Sequence, residues 1–116
     1  MSTILIRMTK PPYGSSDAHE GLDFAISATN YGHDVQLLFE GNGVYQLLHN
    51  QQPDSLSNHA KRLNALPFYD IEACFVCETS IHSFNILPSN LISLVSPVSD
   101  KKKHALYARA DHVVTF

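Results

Sequence analysis

Several features that would mark a specialised protein are scarce or missing in this chain. Only two of its 116 residues are cysteine, too few for the disulfide framework of a small secreted domain. No apolar stretch approaches the roughly 20 residues of a membrane-spanning helix. The N-terminal "MSTILIRMTKPP" has no charged start, long apolar middle or small-residue exit of a secretory leader. A cytoplasmic protein is expected. Basic charge is also short: 8 Lys and Arg face 11 Asp and Glu, for a net charge of -3. Binding a phosphate backbone calls for clustered cations, so no direct contact with nucleic acid or membrane is expected. The one basic run, Lys101-Lys102-Lys103, reads as the solvated end of a helix or as a contact for an acidic partner.

Catalytic signatures are equally thin. There is no Gly-x-Gly-x-x-Gly, no P-loop and no Gly-x-Ser-x-Gly nucleophile elbow. The seven histidines (His19, His33, His49, His59, His82, His104 and His112) form no short ligand pair, and a zinc site would need about two ligands besides the cysteines. No metal and no organic cofactor is expected. In "PPYGSSDAHEG", Ser15 and Ser16 with free backbone N–H groups suit either an anion or a capped helix start. Asp70 and Glu72 are a carboxylate pair two apart, but alternate residues entering a strand share a face without any catalytic reason.

What the sequence does contain is alternation. "TILIRM" reads as a buried strand, "SSDAHEGLDFAISATNYG" as a helix, "HDVQLLFE" as a strand and "VYQLLH" as a short helix. The helix from Ser15 carries Leu22, Ala25, Ile26 and Thr29 on one face, has Asp17 and Glu20 at capping-box spacing, and stops at Gly32. "PDSLSNHAKRLNALPFYD" places Leu56, Ala60, Leu63 and Leu66 at helical spacing and ends before Pro67. Then come "IEACFVC" as a strand, "ETSIHSFNI" as a helix, "LISLVS" as a fourth strand, "DKKKHALYARAD" as a helix and "HVVTF" as a last strand. Such βαβ alternation predicts an α/β fold: a single flavodoxin-like three-layer domain over residues 1–116 with a mainly parallel five-stranded sheet.

Cys74-Phe75-Val76-Cys77 then has to be placed. Three residues of extended strand span about 10 Å and point the two side chains to opposite faces, whereas a disulfide needs Cα atoms within about 7 Å. A thioredoxin-type pair needs its second cysteine one turn into a helix, and Phe75 and Val76 prefer strand. Cys74, within the strand, reads as a small buried hydrophobe. Cys77 falls where strand gives way to helix at the carboxyl edge of a parallel sheet, the usual place for sites in open α/β folds. The helix start favours a thiolate there and the adjacent Glu78 opposes it.

"GLDFAISATNYGHDVQLLFEGNGVYQLL", "PFYDIEACFVCETS" and the terminal "HVVTF" together resemble the DsrE/DsrF-like sulfur-relay family, and within it the TusC (DsrF) branch. The resemblance runs from the first strand to the last residue and is most specific in "GNGVYQLL" and "YDIEACFVC". It implies membership of a TusBCD-type heterohexamer with TusB-like and TusD-like paralogues, which passes persulfide sulfur toward 2-thiouridine at the tRNA wobble position. Related subunits also serve dissimilatory sulfur oxidation. In such assemblies the recognised sulfur-accepting cysteine lies on the TusD (DsrE) subunit, and the TusC-like chain is an architectural partner. Cys77, eight residues before the turn residue Asn85, corresponds to that accepting cysteine and is the candidate persulfide carrier here. Glu78 stands where the accepting subunits carry a small or apolar residue. Homo-oligomerisation of the isolated chain, and exposure of some of Tyr45, Phe68 and Tyr69 as a partner surface, are further expectations.

Overall fold

The computed structural model describes residues 2–13, 16–48 and 59–116. Among these residues five strands, β1 (Thr3–Met8), β2 (Asp34–Phe39), β3 (Ala73–Cys77), β4 (Ser96–Val98) and β5 (His112–Thr115), form one sheet in the order β4-β3-β2-β1-β5. Each pairing is parallel. The helices are α1 (Asp17–Asn30), α2 (His59–Asn64), α3 (Glu78–Ser83) and α4 (Asp100–Arg109), with 3-10 turns at Gly41–Leu47 and Leu66–Tyr69. The three-layer α/β plan is the expected one. The flavodoxin order itself is 2-1-3-4-5; here β5, not β2, occupies the outer side of β1.

Strand order and crossover handedness together fix the layers. From β1 to β4 the chain moves one place at a time in one direction, so right-handed crossovers put α1, α2 and α3 on the same face. The return from β4 at one edge to β5 at the other carries α4 over the opposite face. Side-chain alternation along each strand feeds two separate cores. Ile4, Ile6 and Met8 of β1, Leu37 and Phe39 of β2, and Cys74 and Val76 of β3 pack with Leu22 and Ala25 of α1 and Ile81 of α3. Leu5, Leu38 and Phe75 point the other way and meet Leu106 and Tyr107 of α4.

The local signals hold with adjustments. Helix α1 starts one residue earlier than the Asp17–Glu20 spacing suggests: Ser16 is the N-cap and its Oγ donates to Glu20 Oε1 at 3.1 Å. Gly32, at φ +88, ends it. The helix expected after Gly43 is a 3-10 turn that already begins at Gly41. In the long helical pattern that follows, Leu56 lies outside the described residues; α2 accounts for His59–Asn64, and Pro67 sits in the next 3-10 turn.

The fourth strand is not "LISLVS". Leu91 and Ile92 are drawn into the larger core, where Leu91 bridges to Leu48 and Ile92 N–H donates to Leu47 O at 2.8 Å. The pairing strand is Ser96–Val98, which contains Pro97, a residue tolerated because β4 is an edge.

Candidate functional site

The "GNG" segment explains how the chain leaves β2. Gly41 adopts φ +56, a left-handed conformation natural to glycine. A Cβ on Gly43 would stand 1.8 Å from the Met8 carbonyl oxygen at the end of β1. The two glycines let the chain turn tightly across the carboxyl ends of the strands, and Gly41 N–H donates to Ser80 Oγ of α3 at 3.0 Å.

Beside this turn lies an open cavity of about 430 Å³, lined by Gly41, Cys77, Ser80, Asp100, Lys103 and His104 among others. Cys77 is the N-cap of α3, with extended backbone (φ -69, ψ 117) and no capping hydrogen bond from its side chain. The residue is 2% exposed, and its sulfur meets Lys103 Nζ at 3.7 Å.

The same ammonium lies 3.7 Å from Glu40 Oε2 and 3.9 Å from Asp100 Oδ1. Glu40, buried at 9% exposure, is the hub of the group. Arg7 reaches it through both Nε, at 3.0 Å, and its terminal nitrogen. The Tyr107 hydroxyl donates to it at 3.2 and 3.3 Å, and the Arg7 guanidinium lies 5.6 Å over the Tyr107 ring. One polar cluster therefore draws on β1, β3, α4 and the residue that follows β2.

The charges support one another. Arg7 is held above its ordinary pKa chiefly by its hydrogen bond to Glu40, against a burial cost. Burial opposes the Lys103 ammonium, but attraction to Cys77, Glu40 and Asp100 prevails and raises its pKa. Burial, reinforced by the Glu40 charge, raises Tyr107 and keeps its hydroxyl a donor. Cys74, on the opposite face, has its thiol pushed up to about 12 by burial.

Several sequence expectations change here. Lys101 and Lys102 are exposed in the first turn of α4, but Lys103 turns inward to Cys77 and is not simply a solvated helix end. Glu78 is exposed at the first position of α3, and the charged group in contact with the sulfur is Lys103 instead. The six-residue α3 also offers little helix dipole. Ser15 lies outside the described residues, and Ser16 is engaged with Glu20. Asp70 is exposed in a left-handed C-cap before β3 begins, so it and Glu72 form no pair on a strand face. His59 is buried with Nε2 2.7 Å from Gln46 Oε1, and His49 is outside the described residues.

Among the described residues no three His, Cys, Asp or Glu side chains gather as a metal-ion site, and no helix is long and apolar enough to cross a membrane. Cys74 and Cys77 are both free thiols. Phe68 is 89% and Tyr69 43% exposed, while Tyr45 is half-buried against Phe84.

Arg7, Glu40 and Tyr107 were not singled out from sequence. Their signal was parity: Arg7 follows Leu5 by two on β1, Cys77 follows Phe75 by two on β3, and Lys103, Leu106 and Tyr107 share a face of α4.

The chain is similar to proteins of known family. It is 32% identical over 107 residues to a protein named TusC homolog from Aliivibrio fischeri, covering 90% of this chain and 91% of that protein. A TusC homolog from Vibrio parahaemolyticus is 34% identical over 94 residues, or 79% and 80% of the two chains. Among solved structures, the ychN protein from E. coli superposes with a TM-score of 0.87 at 25% identity over the whole of both chains. MTH1491 from Methanobacterium thermoautotrophicum shares the fold, with a TM-score of 0.75 at 11% identity. Residues 2–116 match the DsrE/DsrF-like family, and the chain belongs to it.

Proposed function

We propose that this chain is a subunit of a sulfur-relay assembly and that Cys77 carries sulfur within it as a persulfide. The carrying observation is the contact between Cys77 Sγ and Lys103 Nζ at the wall of an open cavity. Sulfur relay needs one thiolate and no metal or organic cofactor. The thiolate attacks the outer sulfur of a donor persulfide R–S–SH; a new S–S bond forms at Cys77, the donor S–S bond breaks, and the donor leaves as R–S⁻. The moving sulfur keeps its oxidation level, so no external oxidant or reductant enters. A neighbouring ammonium is a suitable counter-charge both for the attacking thiolate and for the persulfide anion it becomes.

The likeness to TusC homologs supports a finer reading. The chain assembles with TusB-like and TusD-like paralogues as a heterohexamer and passes sulfur toward 2-thiouridine at the tRNA wobble position. Exposed Phe68 and Tyr69 are the kind of aromatic surface that such assembly covers. A second reading, in which the chain is an architectural partner and the paralogue's cysteine carries the sulfur, is favoured by the 2% exposure of Cys77. Purification of the tagged chain from its native cell tests the assembly: two small paralogues are expected to accompany it, and loss of the chain is expected to lower wobble 2-thiouridine. A chain that purifies alone, with unchanged 2-thiouridine, would overturn the proposal. Treatment of the complex with a persulfide donor separates the two readings, since the added sulfur is found by mass on Cys77 or only on the paralogue.

A further inference from the structure

We infer that Lys103 is the positioning residue for anionic sulfur at Cys77, held in place from behind by Glu40. The inference deepens the sulfur-carrier reading and rests on it for its biological meaning, although its physical content concerns the Cys77 thiol alone.

A lysine in the first turn of an exposed helix ordinarily extends into water, because its ammonium is strongly hydrated and its side chain flexible. Helix dipoles also disfavour cations at the N-terminal end. Lys101 and Lys102 both remain exposed, although the Lys102 ammonium lies 5.5 Å over the Phe75 ring. Lys103 does not: its side chain is 22% exposed and its Nζ is shared among Cys77 Sγ, Glu40 Oε2 and Asp100 Oδ1. Something on the sheet side draws it in, and Glu40 supplies the full negative charge there.

Glu40 is itself fixed. Arg7 binds it with two nitrogens and Tyr107 with its hydroxyl, so its carboxylate has little freedom to follow Lys103 outward. The ammonium is thus anchored on one side by an immobile carboxylate and presents its other side to sulfur. Such preorganisation matters in the transfer step, where negative charge passes along the three sulfur atoms from Cys77 to the departing donor. A cation that need not reorganise stabilises both ends of that displacement. The raised pKa of Lys103 keeps it charged throughout.

The role predicts an order among substitutions. Lys103→Arg keeps the charge and should retain most of the effect; Lys103→Met keeps the aliphatic stem and removes the charge; Lys103→Gln keeps polarity without charge. The chain in each form is treated with iodoacetamide, a neutral reagent that reports thiolate at Cys77 by peptide mass, across pH 6 to 10, with a thermal melt to verify folding. Expected are rates about tenfold lower at neutral pH for Lys103→Met and Lys103→Gln, converging with the parent rate at alkaline pH, and near-parent rates for Lys103→Arg. A purely structural role would instead alter rates by the same factor at every pH. Unchanged profiles in both neutral variants, or a uniform change across pH, overturn the inference. Loading with glutathione persulfide then tests the underlying reading. If the parent chain gains no sulfur at Cys77 while the alkylation profile shifts as expected, the inference stands for the thiol and the carrier reading fails. If the parent loads and Lys103→Met loads equally fast, the inference fails and the carrier reading stands.

Discussion

Cys74 and Cys77 lie on the same strand and face opposite sides of the sheet. Cys74 sits in the larger core against α1 and α3, and Cys77 borders the cavity beneath α4 with its sulfur 3.7 Å from Lys103 Nζ. The two thiols should therefore behave as different chemical groups. In the folded chain an alkylating reagent is expected to modify Cys77 first, and Cys74 only as fast as the fold opens. Peptide mass mapping over time measures both; equal rates under native conditions would contradict the assignment.

Burial of Cys74 also carries a stability consequence at high pH. Its thiol rises from the ordinary 9.0 to about 12 on folding. Between those values the unfolded chain releases the proton and the folded chain retains it, so stability is whole below about pH 9 and declines as pH rises toward 12. The slope is about 1.4 kcal/mol per pH unit. Cys74→Ala should lower stability below about pH 9 through the lost packing, yet flatten the decline above it. Urea unfolding at pH 8, 9.5 and 10.5 for the two chains reads the difference in slope, and parallel slopes would count against it.

His59 sets the opposite limit. Burial, reinforced electrostatically by the nearby His19 and Arg62, lowers it from 6.5 to about 4. In that interval the unfolded chain binds a proton that the folded chain does not, so stability is whole above about pH 6.5 and falls as pH drops through 4. The loss approaches about 3 kcal/mol in total. His59→Gln should remove that part of the acid sensitivity while weakening the contact with Gln46. Denaturation midpoints at pH 7, 5.5 and 4.5 check it, and an unchanged acid slope would place the titration elsewhere.

Gly43 is the most demanding backbone position in the site. Its Cβ would meet the Met8 carbonyl oxygen at 1.8 Å, and neither backbone can yield without opening the junction of β1 with the 3-10 turn. Gly43→Ala is expected to cost about 3 kcal/mol or to prevent folding. A melting temperature within a degree or two of the parent would show that the turn relaxes freely.

The strands that carry the core were legible because each alternates between two apolar faces, and Cys77 was legible because strand and helix signals meet there. The fourth strand was misplaced for a physical reason: "LISLVS" has the apolar run of a strand, but Leu91 and Ile92 spend it on the core, leaving a proline-containing edge to do the pairing. The partners of Cys77 were obscured for another. A charge in sequence carries no sign of direction, so Lys103 looked like its neighbours Lys101 and Lys102, and Glu78 looked closer to the thiol than Glu40 is. Only the return of α4 across the sheet brings Arg7, Glu40, Tyr107 and Lys103 together.

The Glu40 hub should also fasten α4. That helix has one buried residue, Leu106, and little apolar area to hold it to the sheet. Beside the Thr79 hydroxyl donating to Asp100 and the Lys102 ammonium over the Phe75 ring, its hold comes from Tyr107 and Lys103, both bound to a carboxylate that Arg7 anchors to β1. Glu40→Ala leaves three donors without that acceptor, at a cost of about 2 kcal/mol given that Arg7 and Lys103 keep partial access to water. The loss should be local before it is global: amides of α4 should exchange with solvent faster, while those of α1, which buries Ala18, Gly21, Leu22, Ala25 and Ala28, change little. Tyr107→Phe removes a single hydroxyl and should produce a smaller change of the same kind, about 1 kcal/mol. Hydrogen exchange resolved by segment makes the distinction, and uniform acceleration across both helices would mean that Glu40 supports the whole sheet rather than the docking of α4.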